Sequence, residues 1–293
     1  MTDSKLIKTL KIGLSDAKLE RGFALDTAKL YYGELAHAIG DVKTLFVPSQ
    51  ARPDKISRVR ELTGQLDGMC GAGSGGAVFA EMCALLCGDN MPTLSAMANG
   101  TEEEIAAHGD AIQVAYVTGS AADNAYGLFE RAGWSRTHTD RVQNACNSVM
   151  CGDTDYTIVP IKNSADGRLC TFYRTIAEFD LKIVDTVTVR ASSVSTTYAL
   201  CAASFGELED PDFMEFSSKT DGKGASRIIE AIETLGHRTE EITSFPDPGG
   251  KTVYQFVVSI GGDVRAALLY LDLFHPDHRI TGIYGTCGGE DDE

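Results

Sequence analysis

The chain has 293 residues, of which 43% are hydrophobic and 23% charged, and its formal net charge at pH 7 is −16. This composition is typical of a globular protein with two or three domains, and the negative charge argues against nucleic acid as a partner, because phosphate binding needs clustered Lys and Arg. No apolar run reaches the roughly 18 to 20 residues that cross a bilayer, and the N-terminal stretch has no signal-peptide apolar region. The sequence therefore predicts a cytoplasmic protein without a membrane partner.

The first predicted segment, residues 1–105, alternates strands and helices. It is read as a strand at 11–14, a helix at 25–39, a strand at 42–48, a helix at 53–62 and a strand at 66–70. The order β-α-β-α-β predicts an α/β lobe with a parallel sheet.

A glycine-rich stretch, residues 71–76 (Gly-Ala-Gly-Ser-Gly-Gly), follows the last of these strands. We expect it to be a loop, with the next helix beginning near Ala77. Glycines permit close backbone approach and a helix N-terminus offers free N–H groups, so Ser74 is a candidate ligand for a carboxylate or phosphate. The stretch matches neither a Walker nor a Rossmann fingerprint, and a turn with no ligand explains it equally well.

The second segment, residues 106–205, repeats the alternation. A strand at 113–117 leads through the turn 118–120 into a helix, and a second helix, with Val142, Cys146, Val149 and Met150 on one face, precedes a strand at 155–161. That strand runs into the polar loop 162–167, and another strand is expected at 181–189. Two similar lobes in tandem imply a cleft that suits a small polar molecule.

The third segment, residues 206–287, has strands near 212–217, 238–244, 252–260 and 280–284 and helices near 225–235 and 264–274. Their order, β-α-β-β-α-β, is that of a ferredoxin-like fold. The acidic residues 288–293 form a tail.

The eight cysteines, at positions 70, 83, 87, 146, 151, 170, 201 and 287, contain no CxxC pair, so reduced and mostly buried thiols are expected. Cys83 and Cys87 are four residues apart and share one face of a predicted helix. His275 and His278 flank Pro276, which ends a helix, and no second cluster completes a metal site. The sequence predicts neither a metal nor another cofactor.

The second and third segments resemble the prephenate dehydratase family. Residues 115–120 are similar to the AYLGPEGS strand and loop, and residues 152–167 to the DYGVVPIENSxxG signature. Gly224-Ala225 is similar to the PGAL turn, residues 243–246 to the ESRP motif, and residues 283–286 to LGSY. The resemblance implies two α/β lobes like those of periplasmic binding proteins, followed by a ferredoxin-like ACT regulatory domain.

The sequence departs from the family at several motif positions. Lys162 replaces a glutamate, Arg168 stands where a small residue is usual, and Thr171 is displaced by about one position. Between residues 190 and 213 there is no room for the second lobe with its TRF motif, so the resemblance implies a permuted arrangement in which residues 1–105 take its place.

The activity implied by the resemblance is that of a lyase in phenylalanine biosynthesis, which dehydrates and decarboxylates prephenate. The implied catalytic residues are Asn163, Ser164, Thr118 and Thr171; the implied substrate-binding residues are Ser120, Lys162, Gly167, Arg168 and Ser74; and the implied effector-binding residues are Gly224, Ala225 and Ser244. Phenylalanine is the usual allosteric effector, and the ACT domain implies a homodimer or homotetramer.

Three alternatives stay open from the sequence. The altered motif is compatible with a prephenate decarboxylase that does not aromatise the ring. It is also compatible with a non-catalytic sensor that binds an amino acid or keto acid. The third alternative is an enzyme with Cys70 as nucleophile, because a helix N-terminus lowers the pKa of a nearby thiol.

Overall fold

A computed structural model describes residues 57, 59, 63, 74–88, 91–100, 111–191, 193–208, 210–247 and 249–285. The predicted elements at 11–14, 25–39, 42–48 and 66–70, together with Cys70, lie outside the described residues. Ser57, Val59 and Thr63 are helical.

From Ser74 onward the described residues form seven helices and ten strands. In chain order these are α1 (Ser74–Cys87), α2 (Leu94–Asn99), β1 (Gln113–Val117), α3 (Ser120–Phe129), β2 (Ser135–Thr139), α4 (Val142–Met150), β3 (Tyr156–Asn163), β4 (Gly167–Arg168), α5 (Cys170–Glu178), β5 (Lys182–Ala191), β6 (Val194–Ala202), β7 (Phe213–Lys219), α6 (Gly222–Thr234), β8 (Arg238–Pro246), β9 (Thr252–Ser259), α7 (Val264–Phe274) and β10 (His278–Tyr284).

The chain divides into two compact units. Unit 1 comprises Met1–Glu103 and Ser218–His278, and unit 2 comprises Glu104–Ser217 and Arg279–Glu293. The predicted β-α-β-β-α-β order is present from β7 to β10. The boundaries between the units fall within β7 and β10, and the three domains expected at 1–105, 106–205 and 206–287 stay a prediction.

Unit 2 is built on a mixed sheet with the strand order β2-β1-β3-β6-β5-β10. Strand β1 runs parallel to both β2 and β3, whereas β6 runs antiparallel to β3 and β5. This arrangement confirms the predicted α/β class. Strand β6 was not predicted, because the connection between β5 and β6 contains no glycine or asparagine, the usual residues of a tight hairpin turn.

Both faces of this sheet are covered by helices. Alternate residues of β3 point to opposite faces: Val159 and Ile161 pack with Cys146 and Tyr173 of α4 and α5. On the other face Ile158 packs with a second set of buried residues, among them Ala125, Tyr126 and Phe129 of α3. Met150 was predicted on the buried face of α4 but is 63% exposed. It is the last residue of the helix, and the buried residues of α4 are Ala145, Cys146 and Val149.

In unit 1, helix α1 packs against α7 and α6, and β8 pairs with β9 in antiparallel register. Helix α1 begins at Ser74 rather than near Ala77, so Ser74, Gly75 and Gly76 are helical, and residues 71–73 of the predicted glycine loop lie outside the described residues. The physical reason is helix packing: a Cβ on Gly76 would lie 2.9 Å from Phe274 Cε2 and 3.0 Å from Tyr270 Cε2. This glycine therefore permits close contact between two helices rather than forming a turn.

The described cysteines are free, and Cys83, Cys87, Cys146 and Cys201 are buried. The predicted burial is confirmed for these four thiols, whereas Cys151 is exposed and Cys170 is half-buried. Burial raises the pKa of Cys146 to about 12, so its thiolate is disfavoured. None of the described helices has the length and apolar character to cross a membrane.

A titratable pair lies at the C-terminal end of α7 in unit 1. Asp272 Oδ1 is 3.4 Å from His278 Nε2, and His278 Nδ1 is 2.9 Å from the carbonyl oxygen of His275. Because a carbonyl only accepts, Nδ1 carries a proton, and Nε2 of a neutral imidazole is then free to accept from a protonated carboxyl. Burial raises the pKa of Asp272 to about 7 and lowers that of His278, and both shifts favour this neutral pair.

We expect the free energy of unfolding of D272N to rise relative to that of the wild type as pH increases. Folded Asp272 holds its proton up to about pH 7, whereas an unfolded aspartate loses it near pH 4, so the wild type loses stability as pH rises between those values. Asparagine keeps a donor for His278 and has no proton to lose. Urea unfolding of both proteins from pH 4 to 8 measures the difference, and His278 is common to both. A difference that stays constant across this range would contradict the shifted pKa.

Candidate functional site

The candidate site lies in unit 2 at the carboxyl ends of β1 and β3. The two strands are parallel, with Val114 opposite Tyr156 and Ala115 opposite Thr157, so their carboxyl ends lie at the same edge of the sheet. Continuing this register places Thr118 opposite Pro160. Strand β3 runs three residues further, about 10 Å at 3.3 Å per residue, and Asn163 projects beyond Thr118.

Asn163 forms the turn between β3 and β4. Its Oδ1 accepts hydrogen bonds from the backbone N–H groups of Ala165 (3.0 Å) and Asp166 (2.5 Å). Its Nδ2 donates to Asp166 Oδ2 at 3.0 Å. An asparagine bonded to the backbone two and three residues on is a local turn-former, and both polar atoms of the Asn163 amide are engaged within the turn.

Ser164 joins the β3–β4 hairpin to the β5–β6 hairpin. Its backbone N–H donates to the Ser195 carbonyl at 2.9 Å, and its Oγ accepts from the Ser195 N–H at 3.0 Å. The two loops are therefore held together at the sheet edge. Ser195 was not identified from the sequence because strand β6 was not predicted. The alternation of side chains from Val194 to Cys201 is the signal from which this strand could have been predicted.

A row of polar residues crosses three strands near this edge. Thr197 of β6 is paired with Lys162 of β3 on one side and Thr188 of β5 on the other. The two threonine hydroxyls are 3.0 Å apart. Directly paired residues share a face of the sheet, so the exposed Lys162 lies beside the Thr197 hydroxyl, with the Thr188 hydroxyl on the next strand. A cation with neighbouring hydroxyl groups suits a carboxylate ligand.

Arg168 points into the core of unit 2 instead of the loop. Its side chain is 8% exposed, and its Nη1 is 3.2 Å from Oε2 of Glu215, whose side chain is fully buried. The same nitrogen donates to the Tyr173 hydroxyl, and the guanidinium lies over the Tyr173 ring, 5.2 Å from its centroid. The predicted role of Arg168 in holding a substrate carboxylate stays a prediction, and Gly167 beside it adopts a left-handed φ of 71°.

Tyr284 completes the surroundings of Glu215. Its hydroxyl donates to Glu215 Oε1 at 2.5 Å, and the Tyr173 hydroxyl lies 3.3 Å from the same oxygen. Burial and the adjacent carboxylate raise the pKa of Tyr284 well above its ordinary value, so it remains a donor. None of these partners of Glu215 was identified from the sequence.

Three predicted hydroxyl residues are exposed. Thr118 precedes α3 and Ser120 is its first residue, while Thr171 lies in the first turn of α5. The first turn of α3 also contains Asp123, whose carboxylate accepts from Tyr116 at 2.9 Å. A negative charge there weakens the attraction of this helix N-terminus for an anion.

The remaining predicted residues belong to unit 1. Ser74 Oγ lies 3.4 Å from Glu230 Oε1, so a carboxylate already neighbours this hydroxyl. The Gly224 N–H donates to Asp221 Oδ1 at 2.7 Å as part of the α6 cap. Ala225 is buried in α6 and Ser244 is exposed on β8. Their predicted ligand roles stay predictions.

No protein-family model and no curated protein matches the sequence. Solved structures are similar in fold. A prephenate dehydratase from Streptococcus mutans matches with a TM-score of 0.50 and 13% identity over 60% of this chain and 98% of that chain. A prephenate dehydratase from Arthrobacter aurescens in complex with L-Phe matches with a TM-score of 0.50 and 14% identity over 59% of this chain and 90% of that one.

A third similar structure is GqqA, described as a novel type of quorum quenching acylase, with a TM-score of 0.49, 19% identity, and coverage of 59% of this chain and 94% of that one. Identities this low establish the fold alone. The chain therefore has an α/β fold like that of prephenate dehydratases.

Proposed function

We propose that this protein is a prephenate-dehydratase-like lyase acting on prephenate or a similar cyclic dicarboxylate. The observation that carries the proposal is the hairpin after β3, where Asn163 shapes the turn and Ser164 ties it to Ser195. This hairpin stands at the carboxyl end of its strand, in an α/β fold like that of known prephenate dehydratases. Loops at the carboxyl ends of strands are where ligands bind in such sheets.

The proposed reaction converts prephenate and one proton into phenylpyruvate, carbon dioxide and water. The ring hydroxyl leaves as water after it is protonated, and the electrons of the broken ring–carboxylate bond complete the aromatic ring. Lys162 is the proposed partner of a substrate carboxylate, beside Thr197 and Thr188. In a chain with a net charge of −16, a local cation is needed to attract a dianion.

K162A is expected to lower kcat/KM for prephenate by a factor of about 100 or more, the loss that follows removal of a group that stabilises transition-state charge. Consumption of prephenate and formation of phenylpyruvate are measured for the wild type and the variant. K251A, which removes an exposed lysine of unit 1, is the matched control and should retain full activity. Absence of prephenate consumption by the wild type at high enzyme concentration would refute the lyase.

A non-catalytic sensor is the second candidate function, and one observation favours it. The side-chain amide of Asn163 and the hydroxyl oxygen of Ser164 are both engaged within the protein. This suits a fixed binding loop better than a reactive one, because a reacting group would first have to break these bonds. Thermal-shift measurements with prephenate, phenylpyruvate and phenylalanine separate the candidates, because a bound ligand raises Tm. A raised Tm together with unchanged prephenate identifies a sensor.

A further inference from the structure

Glu215 is a fully buried acid that joins four elements of unit 2. It contacts Arg168 of β4, Tyr173 of α5 and Tyr284 of β10 from its own position on β7. We name these four side chains the Glu215 quartet. The members of the quartet are far apart in sequence, since Arg168 and Tyr284 are separated from Glu215 by 47 and 69 residues. Only the tertiary fold brings them together.

The β4 side of the β3–β4 hairpin is short, whereas its β3 side is paired with β6 and tied to Ser195 through Ser164. Strand β4 consists of Gly167 and Arg168 only, paired with Asn163 and Lys162. One further backbone bond, from Leu169 N–H to the Ile161 carbonyl at 2.9 Å, closes the hairpin. A two-residue strand contributes little ladder energy, so the position of β4 depends strongly on where the Arg168 side chain is held.

The ion pair with Glu215 supplies that attachment. A charged hydrogen bond to a buried carboxylate is stronger and more directional than a neutral one. Since Arg168 is the residue paired with Lys162 across the hairpin, a displacement of Arg168 is transmitted to Lys162 and Asn163 at the end of β3 and to Ser164 in the turn. Tyr173 and Tyr284 fix the carboxylate in turn.

We propose that Glu215 is a positioning residue, which holds the candidate ligand-binding hairpin through Arg168. The expected effect on prephenate turnover rests on the proposed function, whereas the expected effect on the hairpin backbone does not. A merely structural buried ion pair would support unit 2 as a whole, whereas a positioning residue acts mainly on residues 161–169. The two roles therefore differ in where the backbone loosens when the carboxylate is removed.

The test is hydrogen–deuterium exchange of the full chain with E215Q. Glutamine keeps the size and one acceptor but removes the charge that binds Arg168. We expect amides of residues 161–169 to exchange about tenfold faster or more, as local opening becomes easier, while amides of the β1–β2 pair are unchanged. Y126F is the matched control, because it removes another buried tyrosine hydroxyl from a carboxylate, that of Glu130 at 3.2 Å, and should leave the hairpin unaffected.

Y284F removes one hydrogen bond and keeps the ion pair, and it replaces E215Q should that variant not fold; a smaller, equally local increase is expected. Unchanged exchange in the hairpin, or an equal increase throughout unit 2, would overturn the positioning role. In the prephenate assay E215Q should lower kcat by about tenfold or more with a smaller change in KM, as misplacement of reacting groups does. Faster hairpin exchange in a protein whose wild type does not consume prephenate would retain the positioning role and reject the lyase.

Discussion

Replacing Arg168 by methionine is expected to lower the free energy of unfolding by about 3 to 5 kcal/mol, the cost of removing one partner of a buried ion pair. The carboxylate of Glu215 has no exposed surface, so water cannot replace the guanidinium without rearrangement of the core. Urea unfolding of the two proteins at pH 7 measures the difference.

The double variant R168M/E215L tests the reason for this loss. Replacing both charges by apolar side chains removes the desolvated carboxylate, so part of the stability should return, while the buried Tyr173 and Tyr284 hydroxyls lose their acceptor. R136M, which removes an exposed arginine over the Tyr126 ring in the same unit, should have a much smaller effect. A double variant as unstable as R168M alone would show that shape, rather than uncompensated charge, causes the loss.

Gly262→Ala is expected to destabilise the protein by at least about 2 to 3 kcal/mol, the upper range for overpacking. A Cβ at this position would lie 2.1 Å from the carbonyl oxygen of Leu235, which follows the last turn of α6. The obstacle is backbone, so it cannot move aside as a flexible side chain does. The thermal midpoint and urea unfolding both report the loss.

Gly127→Ala is the matched control for this substitution. Gly127 lies within α3, is exposed, and has no atom within 4 Å of its added Cβ. Alanine there should stabilise the protein by about 0.5 to 1 kcal/mol, because glycine costs more backbone entropy in a helix. Equal effects of the two substitutions would contradict the steric explanation.

Several local elements of unit 2 could be predicted from the sequence, because their patterns are local. The apolar run before Asn163 indicated β3, and the glycine of the polar loop that follows it lies at the left-handed position of the hairpin. Within the candidate site, Asn163 and Ser164 could also be singled out from the sequence, because they directly follow this apolar run. Their partners were not predictable: Ser195 lies on a strand whose turn lacks the usual glycine, and its pairing with Ser164 spans 31 residues.

Tertiary packing places several residues in surroundings that differ from those expected from the sequence. Ser74 and Gly76, expected in a loop, lie in α1, because Gly76 fits against Tyr270 and Phe274. Arg168, expected at a substrate, lies against a buried acid that stands between the apolar Met214 and Phe216.

The sequence by itself determined the α/β class and the helices and strands of most described segments, since hydrophobic period and turn residues act over a few neighbouring positions. Only the tertiary structure decided which loops meet at the carboxyl edge of the sheet, and that Glu215 holds Arg168. The reason is that burial and charge pairing depend on side chains brought together from distant parts of the chain, and the free energy of a buried carboxylate is set by those partners.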